Sequence, residues 1–387
     1  MASAIRTFDL GYDDADPLAF ARLVKALFPS WEKVEVERMT GGVNNTLFRV
    51  RKEDRDSDNQ EAVDEAALIR IYGGSSGILV DRERRSTPLL SSRIVLAEII
   101  IEELNCHILL QKHGLAPRII GRFHNGYAYG FVPGKVCSPV EVAREPVWRG
   151  IAERMAEWHA TLPLAEPASP NIWRVLNKWI TALPTSTEEE TAKQNELIAE
   201  GGLLQALFSK NHVRDMPELV FSHCDLLAGN IVIKPREGKD DSLRAVEKVD
   251  FIDFEYAMAA PATFDIACHF SEWVGFECDY TLLPSQSVRR QFLLQYMSAY
   301  NKLCKPDGKI RGIDELCAEV DKFRGVPGFF WSIGALIQAQ VSKMDFDFTK
   351  YANLRIVKYM DWKAEMSGLR EQSGREKPLR EQQWAKE

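Results

Sequence analysis

The order of the predicted elements constrains the fold of this chain more than any other feature. Short β-like runs separated by turns dominate the first part of the chain, in VEVERM, TLFRV, AALIRIYG and GLAPRIIGRFHNGYAYGFV. From Pro146 onward the apolar spacing becomes helical, in VWRGIAERMAEWHATL, NIWRVLNKWITAL and NELIAEGGLLQALF. Strands followed by helices predict an α+β chain of two lobes, with an antiparallel sheet in the first, rather than alternating βαβ units.

The same order sets the expected boundaries. We expect an antiparallel-sheet N-lobe at 1–130 and a mainly helical C-lobe at 131–365. The last segment, 366–387, is rich in charge and is expected to be a poorly ordered tail.

Composition narrows the class of protein. The 387 residues carry a formal charge of −7, which suits a nucleic-acid surface poorly. The first twenty residues contain several aspartates and no apolar core of a signal peptide, and the seven cysteines form no CxxC pair. We therefore expect a cytoplasmic protein with reduced thiols, no nucleic-acid partner and no stable membrane insertion. The uncharged run 325–342 is predicted to be a buried helix. Composition does not set the oligomeric state.

The motif FSHCDLLAGNIVI, followed by VDFIDFEYA, carries the strongest chemical signal. His223, Asp225 and Asn230 form an H-x-D-x4-N pattern, and Asp253 follows in a second apolar strand. Asp225 is suited to accept a proton from a hydroxyl nucleophile. Asn230 and Asp253 offer oxygens for Mg2+, which prefers a few protein ligands and takes the rest from phosphates. Together the two motifs predict a phosphotransferase.

Three other interpretations apply to these residues. Asp225 and Asn230 are also residue types that cap a turn, and a buried Asp253 also fits a purely structural, hydrogen-bonded carboxylate. His223 is expected to brace the loop rather than to act as a base. A zinc site at His223, Cys224 and Asp225 is disfavoured, because adjacent loop residues seldom converge on one tetrahedral ion.

The N-lobe contains two further candidates for nucleotide binding. TGGVNN, with Gly41, Gly42 and Asn44, reads either as a tight hairpin or as a loop whose N–H groups contact nucleotide phosphates. It is not a Walker A loop, because no GK[ST] follows. Arg70, within the apolar strand AALIRIYG, is either an edge residue or a fixed cation on the phosphates.

Six segments then resemble a known family. They are GGVNNTLFRV, LIRIYG, HCDLLAGNIV, FIDFEYA, FDIACHFSEWVGFECDY and ALIQAQVSKMDFDFTKYANLR, and they follow the order of the choline/ethanolamine kinase motifs from about Arg38 to Tyr359. The resemblance implies a protein-kinase-like two-lobed fold and transfer of the ATP γ-phosphate to an amino-alcohol hydroxyl with Mg2+. It also implies Asp225 as the base, Asn230 and Asp253 as metal ligands, and ATP contacts from Arg38 through Asn44 and from Arg70.

The substrate predicted within this family is ethanolamine. The run after Cys224 is DLL, which resembles ethanolamine kinases, whereas choline kinases usually show DCQ-like or DVQ-like runs. A small cation needs carboxylates and aromatic faces, and the candidates are Glu272, Tyr256, Trp273, Tyr280 and Trp331. Each aromatic also fits core packing, whereas Glu272 in HFSEW needs a cation or a hydrogen-bond partner. Choline or dual specificity, another small-molecule kinase and an inactive scaffold remain alternatives.

Three positions depart from the family pattern. Cys224 stands where asparagine is usual, and Gly334 stands where a second tryptophan is usual. The glycine leaves the cation-binding aromatics one short unless a neighbour fills the space. The run RSTPLLSSRIVLAEIII at 85–101 is an apparent insertion, either genuine or an artefact of the gene model.

Overall fold

The computed structural model describes residues 5–13, 16, 18–39, 45–53, 66–72, 103–164, 170–208, 219–236, 246–304, 312–342 and 344–387. The chain divides into two compact units, Met1–Val132 and Pro133–Glu387. Two sequence predictions lie outside the described residues: the glycine turn with Gly41, Gly42 and Asn44, and the apparent insertion at 85–101.

The first unit is built on the predicted antiparallel sheet. Its five described strands are β1 (Val34–Met39), β2 (Asn45–Lys52), β3 (Ala66–Tyr72), β4 (Ile119–Phe123) and β5 (Gly126–Gly130), hydrogen-bonded in the order β1-β2-β3-β5-β4. Two described helices accompany the sheet, α1 (Ala19–Leu27) and α2 (103–112).

The residues of β3 alternate between two faces of this sheet, as the two-residue period of a strand requires. Ala67, Ile69 and Ile71 are buried in a core that α1 completes with Leu23, Val24 and Leu27. Tyr72, the last residue of β3, points to the other face and packs with Leu104 of α2. Arg70, two residues before Tyr72, lies on the same face as Tyr72, and this places its charge beside α2.

The second unit contains two small sheets and most of the helices. Strands β7 (Val220–Ser222) and β10 (Met258–Ala260) pair with each other, and β6 (Lys135–Val136), β8 (Ile231–Ile233) and β9 (Val249–Phe251) form the other sheet. The described helices are α3 (Pro139–Val142), α4 (Glu145–Thr161), α5 (Asn171–Thr181), α6 (Glu188–Phe208), α7 (Ala262–Glu272), α8 (Gln286–Leu303), α9 (Ile313–Phe323), α10 (Val326–Val341), α11 (Phe348–Met366), α12 (Leu369–Ser373) and α13 (Leu379–Trp384).

Helix α10 corresponds to the uncharged run of the sequence, and its prediction as a buried helix is confirmed. Most of its residues are buried, and it packs along α11. Within the described part of the chain, none of the helices is both long and apolar enough to span a membrane.

The end of the chain differs from the poorly ordered tail expected at 366–387. Helix α13 brings Trp384 into the second unit, where the side chain is buried. The Arg289 guanidinium carbon lies 3.9 Å from the centre of the Trp384 ring, and Trp384 Nε1 donates to Asp321 Oδ1 at 3.1 Å. Glu381 pairs with Arg324 at 3.0 Å. The charges that suggested a tail are therefore partly neutralised by partners in the helices before it.

Candidate active site

The loop that follows β7 carries the H-x-D-x4-N motif. Its second residue, Cys224, has φ of 65°, which is uncommon for a residue other than glycine. Asp265 of α7 holds this loop, because the backbone N–H groups of His223 and Cys224 donate to its Oδ2 and Oδ1, each at 2.8 Å. One buried carboxylate thus fixes the backbone immediately before Asp225.

Asp265 is itself held in its ionised form. Burial alone would raise its pKa, but the hydrogen bond and charge of His159 hold the pKa of Asp265 below its usual range. His159 Nε2 lies 3.0 Å from Asp265 Oδ2, and the other ring nitrogen lies 2.8 Å from the hydroxyl of Tyr296. Neither Asp265 nor His159 was singled out in the sequence, although FDIACHF carries the aspartate on the helical face that also carries Glu272.

His223 braces the loop, as the sequence analysis expected. Its Nε2 lies 3.1 Å from the carbonyl oxygen of Ile252, and its side chain is buried. Burial lowers the pKa of His223, so the ring is neutral at physiological pH. Because Ile252 precedes Asp253, this contact joins the two chemical motifs of the sequence.

The structure brings Asp225, Asn230 and Asp253 together. Asn230 Nδ2 donates to the backbone oxygen of Asp225 at 2.8 Å and to its Oδ2 at 3.2 Å. The carbonyl oxygen of Asn230 accepts from the N–H of Ile252 at 3.0 Å. Asp253 then adopts φ of 58°, a sparsely populated conformation that turns the chain after β9.

The electrostatics of this group favour a bound cation. Burial, followed by the neighbouring carboxylates of Asp253, Glu272 and Glu255, raises the pKa of Asp225 well above its usual value. Glu255 was missed in the sequence analysis, although it lies in the same FIDFEYA run as Asp253. A divalent cation or an ammonium group placed here would offset the repulsion among these acids.

The donor set fits Mg2+ completed by substrate oxygens. The amide nitrogen of Asn230 faces Asp225, and an amide oxygen and a carboxylate, such as those of Asn230 and Asp253, are the kinds of donor that suit Mg2+. In the described residues there is no group of three or more His, Cys, Asp or Glu side chains placed to hold a metal ion. A divalent ion at Asn230 and Asp253 would therefore depend on oxygens from nucleotide phosphates and water, as Mg2+ commonly does.

Glu272 has the cationic partner that its sequence context required, and the partner belongs to the chain itself. Arg355 of α11 donates from its guanidinium to Glu272 Oε1, and both side chains are buried. Burial alone would lower the pKa of Arg355, but the Glu272 charge raises it above its usual value. The pair thus places a permanent cation beside one of the carboxylates that face Asp225.

The predicted aromatic residues separate into two groups. The Tyr256 and Trp331 rings meet edge to face with centroids 5.1 Å apart, and Trp331 is partly exposed. Tyr280 is partly buried, with Lys358 Nζ 5.3 Å from its ring centre. Trp273 instead lies in the core, donating from Nε1 to His269 Nε2 at 3.1 Å, so packing accounts for this residue.

In the first unit, Arg70 lies beside an acid of α2. Its Nε is 3.3 Å from Glu103 Oε1, and both side chains are buried. Tyr72 and Tyr127 donate to Glu103 at 2.5 Å and 3.0 Å, which fixes the carboxylate. Arg38 is exposed on β1. Arg70 is thus a positioned cation rather than a solvated edge residue, and Glu103 is a partner that the sequence did not reveal.

Known proteins resemble the chain in both sequence and fold. A model of the choline/ethanolamine kinase family matches residues 92–360. The human protein ethanolamine kinase 2 is 31% identical over 377 residues, covering 95% of this chain and 87% of the relative. Among solved structures, Plasmodium vivax ethanolamine kinase superposes with a TM-score of 0.67 at 21% identity, covering 90% of this chain and 89% of that one. Cryptosporidium parvum choline kinase superposes with a TM-score of 0.62 at 19% identity, covering 92% and 97%. The predicted kinase-like fold is confirmed.

Proposed function

Because the chain belongs to the choline/ethanolamine kinase family, we propose that it phosphorylates the hydroxyl of ethanolamine with ATP, giving phosphoethanolamine and ADP. This reaction is the first step of phosphatidylethanolamine synthesis. The observation that carries the proposal is the grouping of Asp225, Asn230 and Asp253, with Asn230 Nδ2 only 3.2 Å from the Asp225 carboxylate.

Asp225 is assigned the role of proton acceptor. The substrate hydroxyl oxygen forms a bond to the γ-phosphorus as the bond to the ADP oxygen breaks, and the hydroxyl proton passes to the Asp225 carboxylate. A raised pKa suits this role, because it makes the ionised Asp225 carboxylate a stronger proton acceptor than an exposed aspartate. The Asn230 amide and the Asp265-braced backbone hold the carboxylate in place.

ATP and Mg2+ are assigned to two sets of residues. Asn230 and Asp253 would hold Mg2+, which supplies positive charge against the phosphate oxygens when bound. Arg70, held by Glu103, is proposed to contact the nucleotide phosphates. The remaining proposed nucleotide contacts are Arg38, Gly41, Gly42 and Asn44.

The ammonium end of ethanolamine is assigned to Tyr256, Tyr280, Trp331 and Glu272. One oxygen of Glu272 faces Arg355, so the acid contributes a shared rather than an isolated charge. The aromatic faces supply the cation–π attraction that an amino alcohol needs. Because the human relative is an ethanolamine kinase and the DLL run resembles that branch, we place ethanolamine before choline.

We further propose a cytoplasmic location. The buried cysteines Cys137, Cys224 and Cys268 are free thiols and form no disulfide bonds. Proteins of reducing compartments keep their thiols in this state.

The test is ATP turnover by the purified protein with Mg2+, with ethanolamine, choline or no acceptor. We expect ethanolamine to be preferred, and Asp225→Asn to lose about 100-fold or more in kcat while MgATP still raises its Tm. Asp314→Asn, which alters an exposed surface carboxylate, is the matched control. Turnover of choline alone would reassign the substrate, and undiminished turnover by Asp225→Asn would remove the proposed base.

A further inference from the structure

Gly334 of α10 allows two indole rings to approach the helix. A Cβ atom built on Gly334 would lie 3.2 Å from Cζ3 of Trp179 and 3.2 Å from Cε3 of Trp331. Both distances are shorter than ordinary van der Waals contact. A methyl group at position 334 would therefore push one or both rings away from their present positions by a few tenths of an ångström.

Trp179 comes from a different helix, α5, and occupies the space beside Gly334. Its ring centre lies 5.9 Å from that of Trp331 and 6.2 Å from that of Tyr256, the latter edge to face. Trp179 is fully buried, whereas Trp331 is partly exposed. Trp179 thus packs on the buried side of the edge-to-face pair of Tyr256 and Trp331, and not on the side where Trp331 is exposed.

The opposite edge of Trp331 is tied to the catalytic loop. Trp331 Nε1 donates to Cys268 Sγ at 3.4 Å, and the Cys268 thiol donates to the carbonyl oxygen of Cys224 at 3.2 Å. Cys224 directly precedes Asp225. The Trp331 ring is therefore held between a hydrogen-bonded link to this loop on one side and the Trp179 ring on the other.

We propose that Trp179 is a positioning residue for the amino-alcohol substrate, and that Gly334 is required because it gives Trp179 access to Trp331. This inference rests on the proposed function, in which Trp331 faces the ammonium group. Cation–π attraction depends on how the cation lies over the ring face, so a displaced Trp331 binds the ammonium less tightly. Trp179 and Gly334 act on the ammonium group through Trp331, so they are expected to change substrate affinity rather than the chemical step.

Two variants test the proposal, one by removing the supporting ring and the other by filling the space beside it. Trp179→Leu removes the supporting ring, and Gly334→Ala adds a methyl group that presses on both indoles. Each is expected to raise KM for ethanolamine about fivefold or more, with kcat and KM for ATP within about twofold of wild type. Trp179→Phe keeps an aromatic ring and is expected to stay close to wild type. Trp148→Leu, a buried tryptophan packed on Phe292, is the matched control for loss of core volume.

The outcomes separate this inference from the proposed function. Wild-type turnover of ethanolamine, together with an unchanged KM for ethanolamine in both Trp179→Leu and Gly334→Ala, overturns the inference alone. An equal rise of KM in Trp148→Leu overturns it as well, since general loosening would then explain the effect. Absence of turnover by the wild type overturns both. Because Gly334→Ala retains every aromatic ring, it keeps the test decisive if Trp179→Leu does not fold.

Discussion

Arg355 and Glu272 form a buried ion pair that links α11 to the end of α7. Glu272 is one of three carboxylates that raise the pKa of Asp225, so Arg355 limits the negative charge around the proposed base. Arg355 is the partner that Glu272 was expected to need from its apolar sequence context, because a buried carboxylate requires a cation or a hydrogen-bond donor.

Removing one member of this pair should be costly. Arg355→Met leaves Glu272 buried without its cation, and we expect a loss of about 3–5 kcal/mol in the free energy of unfolding. Urea denaturation measures it, and the double variant Arg355→Met with Glu272→Met should recover much of the loss. Arg290→Met, which breaks an exposed pair with Asp314, serves as the control and should change stability little. Equal losses in the single and double variants would contradict this view of the pair.

Replacing Asp225 should stabilise the fold while it removes activity. The pKa of Asp225 is raised in the folded state, so the folded protein holds this proton more tightly than the unfolded chain does. Stability from this group is fully present below the unfolded pKa of about 3.9 and is lost as pH rises through the folded pKa. Asp225→Asn should therefore have a higher Tm than the wild type near pH 7, and the difference should shrink towards pH 4. A lower Tm at pH 7 would contradict the direction assigned to the pKa of Asp225.

The Cys268 thiol links Trp331 to the loop of Asp225, and its loss should lower catalytic efficiency. Cys268→Ala removes both hydrogen bonds. Because hydrogen bonds to sulfur are weak, we expect their combined loss to equal that of about one ordinary neutral bond, roughly 0.5–1.5 kcal/mol, or about 3–10-fold in kcat/KM for ethanolamine. Cys268→Ser retains a donor and an acceptor and should recover part of the loss. Cys317→Ala, at a partly exposed cysteine of α9, is the control. Steady-state kinetics in which Cys268→Ala matches the control would exclude this role.

Glu103 should matter for nucleotide rather than for amino alcohol. Glu103→Gln removes the negative charge that lies 3.3 Å from Arg70 Nε in a buried ion pair. Arg70 is then held less firmly, so KM for ATP should rise roughly tenfold. KM for ethanolamine should change little, because Glu103 lies in the first unit with the proposed phosphate-binding cation. Glu35→Gln, at an exposed acid paired with Arg51 in the same sheet, is the control. A rise confined to KM for ethanolamine would refute the assignment of Arg70.

The final helix should protect the end of the chain from hydrogen exchange. Trp384→Ala removes a buried ring and its contacts with Arg289 and Asp321, so stability should fall by about 3–5 kcal/mol and exchange at 368–387 should quicken. Leu379→Ala, at an exposed position on the same helix, should leave both measurements close to wild type. Fast exchange across 368–387 in the wild type would instead restore the expectation of a poorly ordered tail.

The local sequence was enough to predict the fold and to single out most of the residues that the structure groups around Asp225. Alternation in AALIRIY and helical spacing after Pro146 correctly indicated a sheet followed by helices, because these periods depend only on which face of each element is buried. Asp225, Asn230 and Asp253 were identifiable because they lie close together in the chain, in two short motifs. The roles assigned to them remain predictions.

The partners of these residues were decided by tertiary structure. Asp265 accepts hydrogen bonds from the backbone of His223 and Cys224. Glu103 lies beside Arg70, and Arg355 pairs with Glu272. In each case the partners are more than thirty residues apart in the sequence. Sequence spacing within one element carries no information about such pairs, because they depend on how separate elements pack. The same holds for Gly334, whose missing side chain leaves space that only the packing of α5 against α10 fills with Trp179. The chain's own sequence thus determined which chemical groups are present and in what order. Packing decided which of them are charged, braced or buried, because burial and the distance between charges are properties of the folded state alone.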